Sequence, residues 1–227
     1  MDTSKWALAY SKDGISFPSE YVIRIFKGVF PKCNLEQQID GYNNKHLLDV
    51  SCGDGRDFVL FNQLGFKEIA GTEISKEIVM KAQSNMDSLG IKCNLKVGYN
   101  DSLPFENSSF DILLSWNVCY YVGDNLNFQD TVKEYARVLK KGGVLVFSIP
   151  KPECFIYHNC IDKGHGLVTI TNDPYGVRNG TVLKRFMNEQ NIISEFESFF
   201  ADFTFASIND DCFGRNYSWF IGYCFKK

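Results

Sequence analysis

Short apolar runs alternate with amphipathic segments along most of the chain, and their order predicts strands and helices in turn. The first run, Leu47-Leu48, reaches an acid at Asp49, turns through Ser51-Cys52-Gly53-Asp54-Gly55, and enters a segment with Phe58, Phe61 and Leu64 at helical spacing. KEIAGTE then reads as a second buried strand ending at Glu73. Ser75 is placed to cap a helix whose Ile78, Ala82, Met86 and Leu89 share one face and whose Gly90 supplies the stop. Phe110, Ile112 and Leu114 alternate as a strand should. TVKEYARVLKKGG predicts a helix closed by Lys140-Lys141 and Gly142-Gly143, and VLVFSIP follows as the fifth strand.

The flanks are patterned too. Pro18 followed by Tyr21, Ile25 and Val29 predicts an N-terminal helix on an i, i+4 stripe. ISEFESFFADFTFASI and NYSWFIGYCF predict a helix and two closing strands, with alternation at Tyr217, Trp219, Ile221 and Tyr223. Between Pro150 and these, turn formers interrupt every apolar run, which predicts short strands in an inserted region.

In an open parallel sheet, ligands bind outside the carboxyl ends of the strands, so the turn after Asp49 is where a cofactor would be held. Gly53 and Gly55 carry no Cβ to obstruct a close approach. A pyrophosphate wants G-x-G-x-x-G, but the third glycine position is Phe58, and Asp49, Asp54 and Asp57 crowd the turn with charge that repels phosphate. The same acids suit a cation. S-adenosylmethionine carries an ammonium and a sulfonium and no phosphate, and electrostatics favour it here.

These residues resemble the first motif of the class I S-adenosylmethionine-dependent methyltransferases, roughly D-x-G-x-G-x-G. Asp49, Gly53 and Gly55 match, and Ser51 departs, replacing the first glycine. LPF followed by NSSFDILLSW, and the string ARVLKKGGVLVFSIP, are similar to the family's later passages. The resemblance runs from about Phe17 to Pro150 and implies an α/β, Rossmann-like fold: a mostly parallel seven-stranded sheet with helices on both faces and the last strand antiparallel.

It also implies a cofactor set. In and beside the turn these are Asp49, Ser51, Cys52, Gly53, Gly55 and Asp57; at the second strand, Glu73 and Ile74, with Glu73 accepting from both ribose hydroxyls. Relatives have Gly-Asp where this chain has Gly98-Tyr99, so Tyr99 is expected to stack on the adenine while Asn100 or Asp101 makes the polar contact, with Ser102 beside them in the cofactor set. Trp116 and Asn117 emerge beside the methyl donor, where an aromatic ring favours a sulfonium and excludes water. An N-terminal lid would contribute Trp6, Tyr10, Tyr21 and Arg24, the guanidinium suiting a methionine carboxylate. The whole reads as one domain: residues 1–40 as lid and helices, 41–150 as cofactor-binding core, 151–187 as substrate-recognition insertion, and 188–227 as closing helix and strands.

Composition sharpens the class. The chain has 227 residues, 44% hydrophobic, enough for one sizeable core. A formal charge of -3 argues against a nucleic-acid surface, and a small-molecule acceptor is expected. Eight cysteines without a C-x-x-C pair read as reduced thiols in a cytoplasmic protein, and no apolar run has the length of a membrane span. Cys154, His158, Cys160 and His165 have no usual zinc spacing, so no metal is expected.

Methyl transfer needs alignment above all, and a base only where the acceptor is protonated at working pH. His158 and His165 are the expected base candidates, with Tyr120 and Tyr121 placed to orient an acceptor. The expected reaction is O-methylation of a small molecule such as a surface-polysaccharide sugar or another metabolite, with S-adenosylhomocysteine as co-product. Two alternatives stand beside it: a nicotinamide oxidoreductase, disfavoured by the missing third glycine, and a non-catalytic cofactor-binding subunit.

Overall fold

A computed structural model describes residues 3–11, 17–30 and 33–227. Seven strands form the main sheet: β1 (His46–Val50), β2 (Glu68–Glu73), β3 (Asn94–Val97), β4 (Phe110–Ser115), β5 (Leu139–Pro150), and the late pair β9 (Phe200–Cys212) and β10 (Arg215–Lys226). Their order is β3-β2-β1-β4-β5-β10-β9. The first five run parallel, and β10 lies antiparallel between β5 and β9. This is the mostly parallel seven-stranded sheet that the family resemblance implies. The order reverses at β1, which pairs with β2 on one side and β4 on the other, and a crevice opens there at the strands' carboxyl ends.

Burial explains why short runs make these strands. Leu47, Leu48, Ile112, Leu113, Leu114, Leu145 and Val146 are 0% exposed, as expected of parallel strands covered on both faces. Between the strands lie α4 (Phe58–Gln63), α5 (Lys76–Ser88) and α6 (Phe128–Val138), with α7 (Glu189–Phe196) before β9. Ser75 caps α5 by accepting a hydrogen bond from the Ile78 amide at 3.3 Å. Upstream of β1 are α1 (Thr3–Tyr10), α2 (Glu20–Lys27) and the single turn α3 (Leu35–Gln38).

Three details differ from the expected pattern. Helix α2 buries Val22, Ile25 and Phe26 and leaves Val29 80% exposed beyond its end. The inward stripe therefore sits one residue away from Tyr21. Helix α6 stops at Val138, because Leu139 already pairs with Phe110 across the sheet and Lys140 reaches Asp111 at 2.8 Å. The Lys140-Lys141-Gly142-Gly143 stretch thus enters β5 rather than closing a helix. Strand β10 buries every residue from Ser218 to Cys224, since it is flanked by strands on both edges and packed on both faces, so alternation is absent.

The insertion after β5 opens with a 3-10 turn (Phe155–Tyr157) and forms a separate antiparallel sheet of β6 (Cys160–Gly164), β7 (Leu167–Ile170) and β8 (Val182–Lys184). It is stitched to the segment after β4. The Lys184 amide donates to the Tyr120 carbonyl at 2.8 Å, and the Val122 amide to the Val182 carbonyl at 3.3 Å.

Candidate functional site

A cavity of about 960 Å³ lies at the carboxyl ends of the central strands, floored by the turn after β1 and roofed by α1 and the insertion. The turn itself requires unusual backbone: Ser51, Gly53 and Gly55 have φ of 57°, 61° and 84°. At Gly53 the requirement is also steric. A Cβ there would stand 2.9 Å from the Tyr10 ring, so only glycine fits beneath α1. The turn is tied from two sides, by the Cys52 amide donating to the Thr72 carbonyl at 3.0 Å and by the Asn85 amide group donating to the Asp54 carbonyl at 3.0 Å.

Acids crowd this end. Asp49 and Glu73 are 3% and 4% exposed. Glu73 accepts from the Gly53 amide at 2.7 Å and from the Ile74 amide at 3.0 Å, which aims its carboxylate across the strand ends and leaves lone pairs for a ligand. Burial raises its pKa, and the two backbone amides pull it back. Asp49 is pushed well above the ordinary carboxylate value by burial first, then by Asp57 and Glu73. Asp57 also serves the fold, accepting from the Ser19 amide at 2.6 Å and thereby anchoring the start of α2 to the turn.

The loop after β3 contributes Tyr99, half exposed, together with Asn100 and Asp101. The Asn100 side chain is spoken for: it donates to the carbonyls of Val118 and Tyr121 at 2.9 and 3.1 Å and accepts from the Tyr135 hydroxyl at 2.9 Å. It pins the segment after β4. Asp101 is the acid of this loop that faces the cavity. Beyond β4, Trp116 and Asn117 line the same space, and Asn117, at φ 62°, is held by reciprocal hydrogen bonds with the Ser148 hydroxyl at 2.7 and 2.8 Å.

Of the residues expected from sequence, the cavity gathers Trp6 and Tyr10 of α1, Asp49, Ser51, Cys52, Gly53 and Asp57 at the turn, then Glu73, Ile74, Tyr99, Asn100, Asp101, Trp116, Asn117 and Tyr121. It does not gather the others. Gly55 lies beneath the turn against Met86, and Ser102 is an exposed turn residue bridged to Tyr99. Tyr21 and Arg24 lie on the outer side of α2, where Tyr21 donates to Asp210 at 2.9 Å and Arg24 pairs with Glu20 at 2.5 Å. The helix rotation that buries Val22, Ile25 and Phe26 turns both away from the cavity. Tyr120 is 0% exposed and packed in the core beside Trp219, its hydroxyl making no well-directed hydrogen bond among the described residues. His158 and His165 are exposed, one after the 3-10 turn and the other in the β6–β7 turn at φ 54°. Neither lines the cavity, and no histidine does among the described residues.

The insertion supplies what the sequence reading missed. Arg178, Gly180 and Thr181, from the β7–β8 connection, and Val182, which opens β8, line the same cavity as the glycine turn. Arg178 donates to the Tyr121 hydroxyl at 2.9 Å and pairs with Asp173 at 3.1 Å, and its guanidinium lies 5.5 Å from the centre of the Trp6 ring. Trp6 meets Tyr121 edge-on at 6.2 Å, so α1, the segment after β4 and the insertion join in one cluster.

A parallel sheet whose order reverses at β1, with a glycine turn there, an acid at the tip of β2 and an antiparallel β10 between β5 and β9, has the class I S-adenosylmethionine-dependent methyltransferase fold. Residues 48–147 match the methyltransferase domain family. A crystal structure of a SAM-dependent methyltransferase from Methanosarcina mazei superposes with a TM-score of 0.65 at 22% identity, over 81% of this chain and 93% of that one. Among curated relatives, the sterol 4-C-methyltransferase of Caenorhabditis elegans is 27% identical over 50% of this chain and 34% of its own length. The malonyl-[acyl-carrier protein] O-methyltransferase of Buchnera aphidicola is 28% identical over 65% and 55% respectively. The chain thus spans from about a third to about half of these two relatives' lengths.

Proposed function

We propose that this protein transfers a methyl group from S-adenosylmethionine to a small-molecule acceptor. The observation that carries the reading is the chemistry of the glycine-turn end of the cavity. Asp49, Asp54, Asp57 and Glu73 line it, a set that repels phosphate and favours a cationic, phosphate-free nucleoside. When bound, S-adenosylmethionine supplies a methyl group made electrophilic by its sulfonium.

The chain's own residues have the tasks of holding, aligning and drying. Glu73 is already aimed by two backbone amides and takes the ribose hydroxyls. Tyr99 offers a flat face for the adenine and Asp101 a polar partner for its amino group. Tyr10 covers the turn, while Trp116 and Asn117 border the reacting end. Alignment and exclusion of water supply much of the rate of an in-line displacement. Methylation at oxygen, of a metabolite or sugar hydroxyl, is supported by the name of the malonyl-[acyl-carrier protein] O-methyltransferase relative. A hydroxyl acceptor also loses a proton, and the acids facing the cavity, Asp101 and Asp124, stand where the exposed histidines do not.

The test is transfer of labelled methyl from S-adenosylmethionine into fractionated small-molecule extracts. Label entering a small organic product, with loss of transfer in Glu73→Ala, is the expected result. Binding of the cofactor with no transfer to any fraction would favour the non-catalytic reading, and binding of NADH alone would favour the oxidoreductase.

A further inference from the structure

Arg178 is a mostly buried cation lining a cavity rich in acids. Its side chain is 15% exposed, and its partner Asp173 is fully buried. The geometry is fixed from several sides. Asp173 accepts from the amides of Val177 and Arg178 at 3.0 Å each, so the loop that carries the arginine also grips the carboxylate that orients it. Asn179 accepts from the Asp173 amide at 2.7 Å. Nε is spent on the Tyr121 hydroxyl and one Nη1 hydrogen on Asp173, while Trp6 covers a face of the guanidinium.

A guanidinium has five N–H donors in a rigid fork. Among the described residues, those two are the hydrogen bonds Arg178 donates from its guanidinium, and Nη2 donates none. Nη2 is not a buried orphan, so its donors are open to solvent or to a ligand in the cavity. Arg178 is held rigid, lines the cavity and keeps donors in reserve.

We propose that Arg178 anchors a carboxylate of the methyl acceptor, which makes small carboxylic acids the acceptor class. The inference rests on the methyl-transfer reading. A fork of paired donors matches a carboxylate's two oxygens. A phosphate suits the place less well: Asp173 already offsets much of the cation's charge, and Asp101 and Asp124 line the same cavity, so a dianion meets more repulsion than a monoanion. Arg56, the other cation lining the cavity among the described residues, belongs to the glycine turn and is exposed. Trp6 and Tyr121 stand against Arg178, and Trp116 and Val182 line the same cavity, surfaces that fit an apolar body behind the carboxylate.

The experiment is calorimetric titration of the protein, with and without saturating S-adenosylhomocysteine, by three acids (benzoate, phenylacetate, hexanoate) and by their primary amides. At least one acid is expected to bind the wild type tenfold or more tighter than its amide. Arg178→Gln should abolish that preference, and Arg178→Lys should retain part of it, because charge survives while the fork is lost. S-adenosylhomocysteine affinity should change less than twofold in either variant, which shows that both fold. No acid preference in the wild type, or an undiminished preference in Arg178→Gln, overturns the assignment. Failure of S-adenosylhomocysteine to bind the wild type sinks the methyl-transfer reading instead, and the titrations without it still decide the role of Arg178.

Discussion

The two ends of the cavity are built by different means. The glycine-turn end is local: Asp49 through Asp57 are consecutive, and Glu73 arrives with the next strand, paired in register so that Val50 faces Thr72. Its working groups are backbone amides and carboxylates whose positions follow from strand, turn and helix. The other end is assembled from afar. Trp6, Tyr121, Asp173 and Arg178 come from a terminal helix, a loop after β4 and an inserted sheet, and no two of those three elements are neighbours in sequence. A cofactor shared by many proteins needs the first kind of site, and an acceptor particular to one needs the second.

That contrast is broken most sharply at Glu73. Replacing it with Ala removes hydrogen bonds to a charged acceptor worth about 1.5–3 kcal/mol each, so affinity for S-adenosylhomocysteine should fall by about 100-fold or more. It also orphans the Gly53 and Ile74 amides, and chemical denaturation should show a stability loss of about 1–3 kcal/mol. Gly53→Ala comes next. The positive φ of 61° alone costs about 1–2 kcal/mol, and the new methyl group meets the Tyr10 ring. Adding Tyr10→Ala to Gly53→Ala should relieve the steric part and leave the backbone part, and a double-mutant cycle reads the coupling between α1 and the turn. Full additivity in that cycle would mean that α1 does not pack on the turn in solution.

The acid cluster gives a pH signature. Burial and the neighbouring acids hold the Asp49 pKa above its ordinary 3.8, so the folded protein binds more protons than the unfolded chain above that pH. Stability contributed by this group therefore falls as pH rises from about 4 toward the raised value. Asp49→Asn removes the penalty, and denaturation midpoints should show the variant gaining on the wild type as pH rises. A constant difference between the two across that range would mean that Asp49 titrates normally.

Smaller effects belong to residues outside the cavity. Tyr120→Phe deletes a buried hydroxyl without a well-directed hydrogen bond, so stability should hold or rise by up to about 1 kcal/mol, with methyl transfer unaltered. Least of all should happen on changing His158 and His165 together to Gln, since both are exposed and neither lines the cavity: turnover should stay within about twofold. A tenfold loss would place one of them at the acceptor after all.

The same contrast governs what was legible in the sequence. The order of strands, the glycine turn, the carboxylate ending β2 and the Ser75 cap are all signalled within a few residues, and the structure has them where the pattern puts them. Periodicity was less informative where two stripes were open. In α2, Tyr21-Ile25-Val29 and Val22-Ile25-Phe26 are both apolar rows, and packing chose the second, which carries Tyr21 and Arg24 outward. The KKGG stretch carries a helix-stop signal that pairing of Leu139 with Phe110 overrides. Asp173 and Arg178 have no local signature, because a salt bridge across a loop is one of many such spacings in any chain. Only the meeting with Tyr121 and Trp6 distinguishes it. Asn100 shows a further limit: its type suited a ligand contact, and its three hydrogen bonds are to the protein.

The central claim, that the acidic glycine-turn end holds an adenosyl cofactor, is tested most directly by calorimetric titration with S-adenosylhomocysteine and NADH on the wild type and Glu73→Gln. The account predicts one site for S-adenosylhomocysteine, an affinity loss of about 100-fold in Glu73→Gln, and no heat from NADH. Tight NADH binding, or equal affinity of the two proteins for S-adenosylhomocysteine, would contradict it.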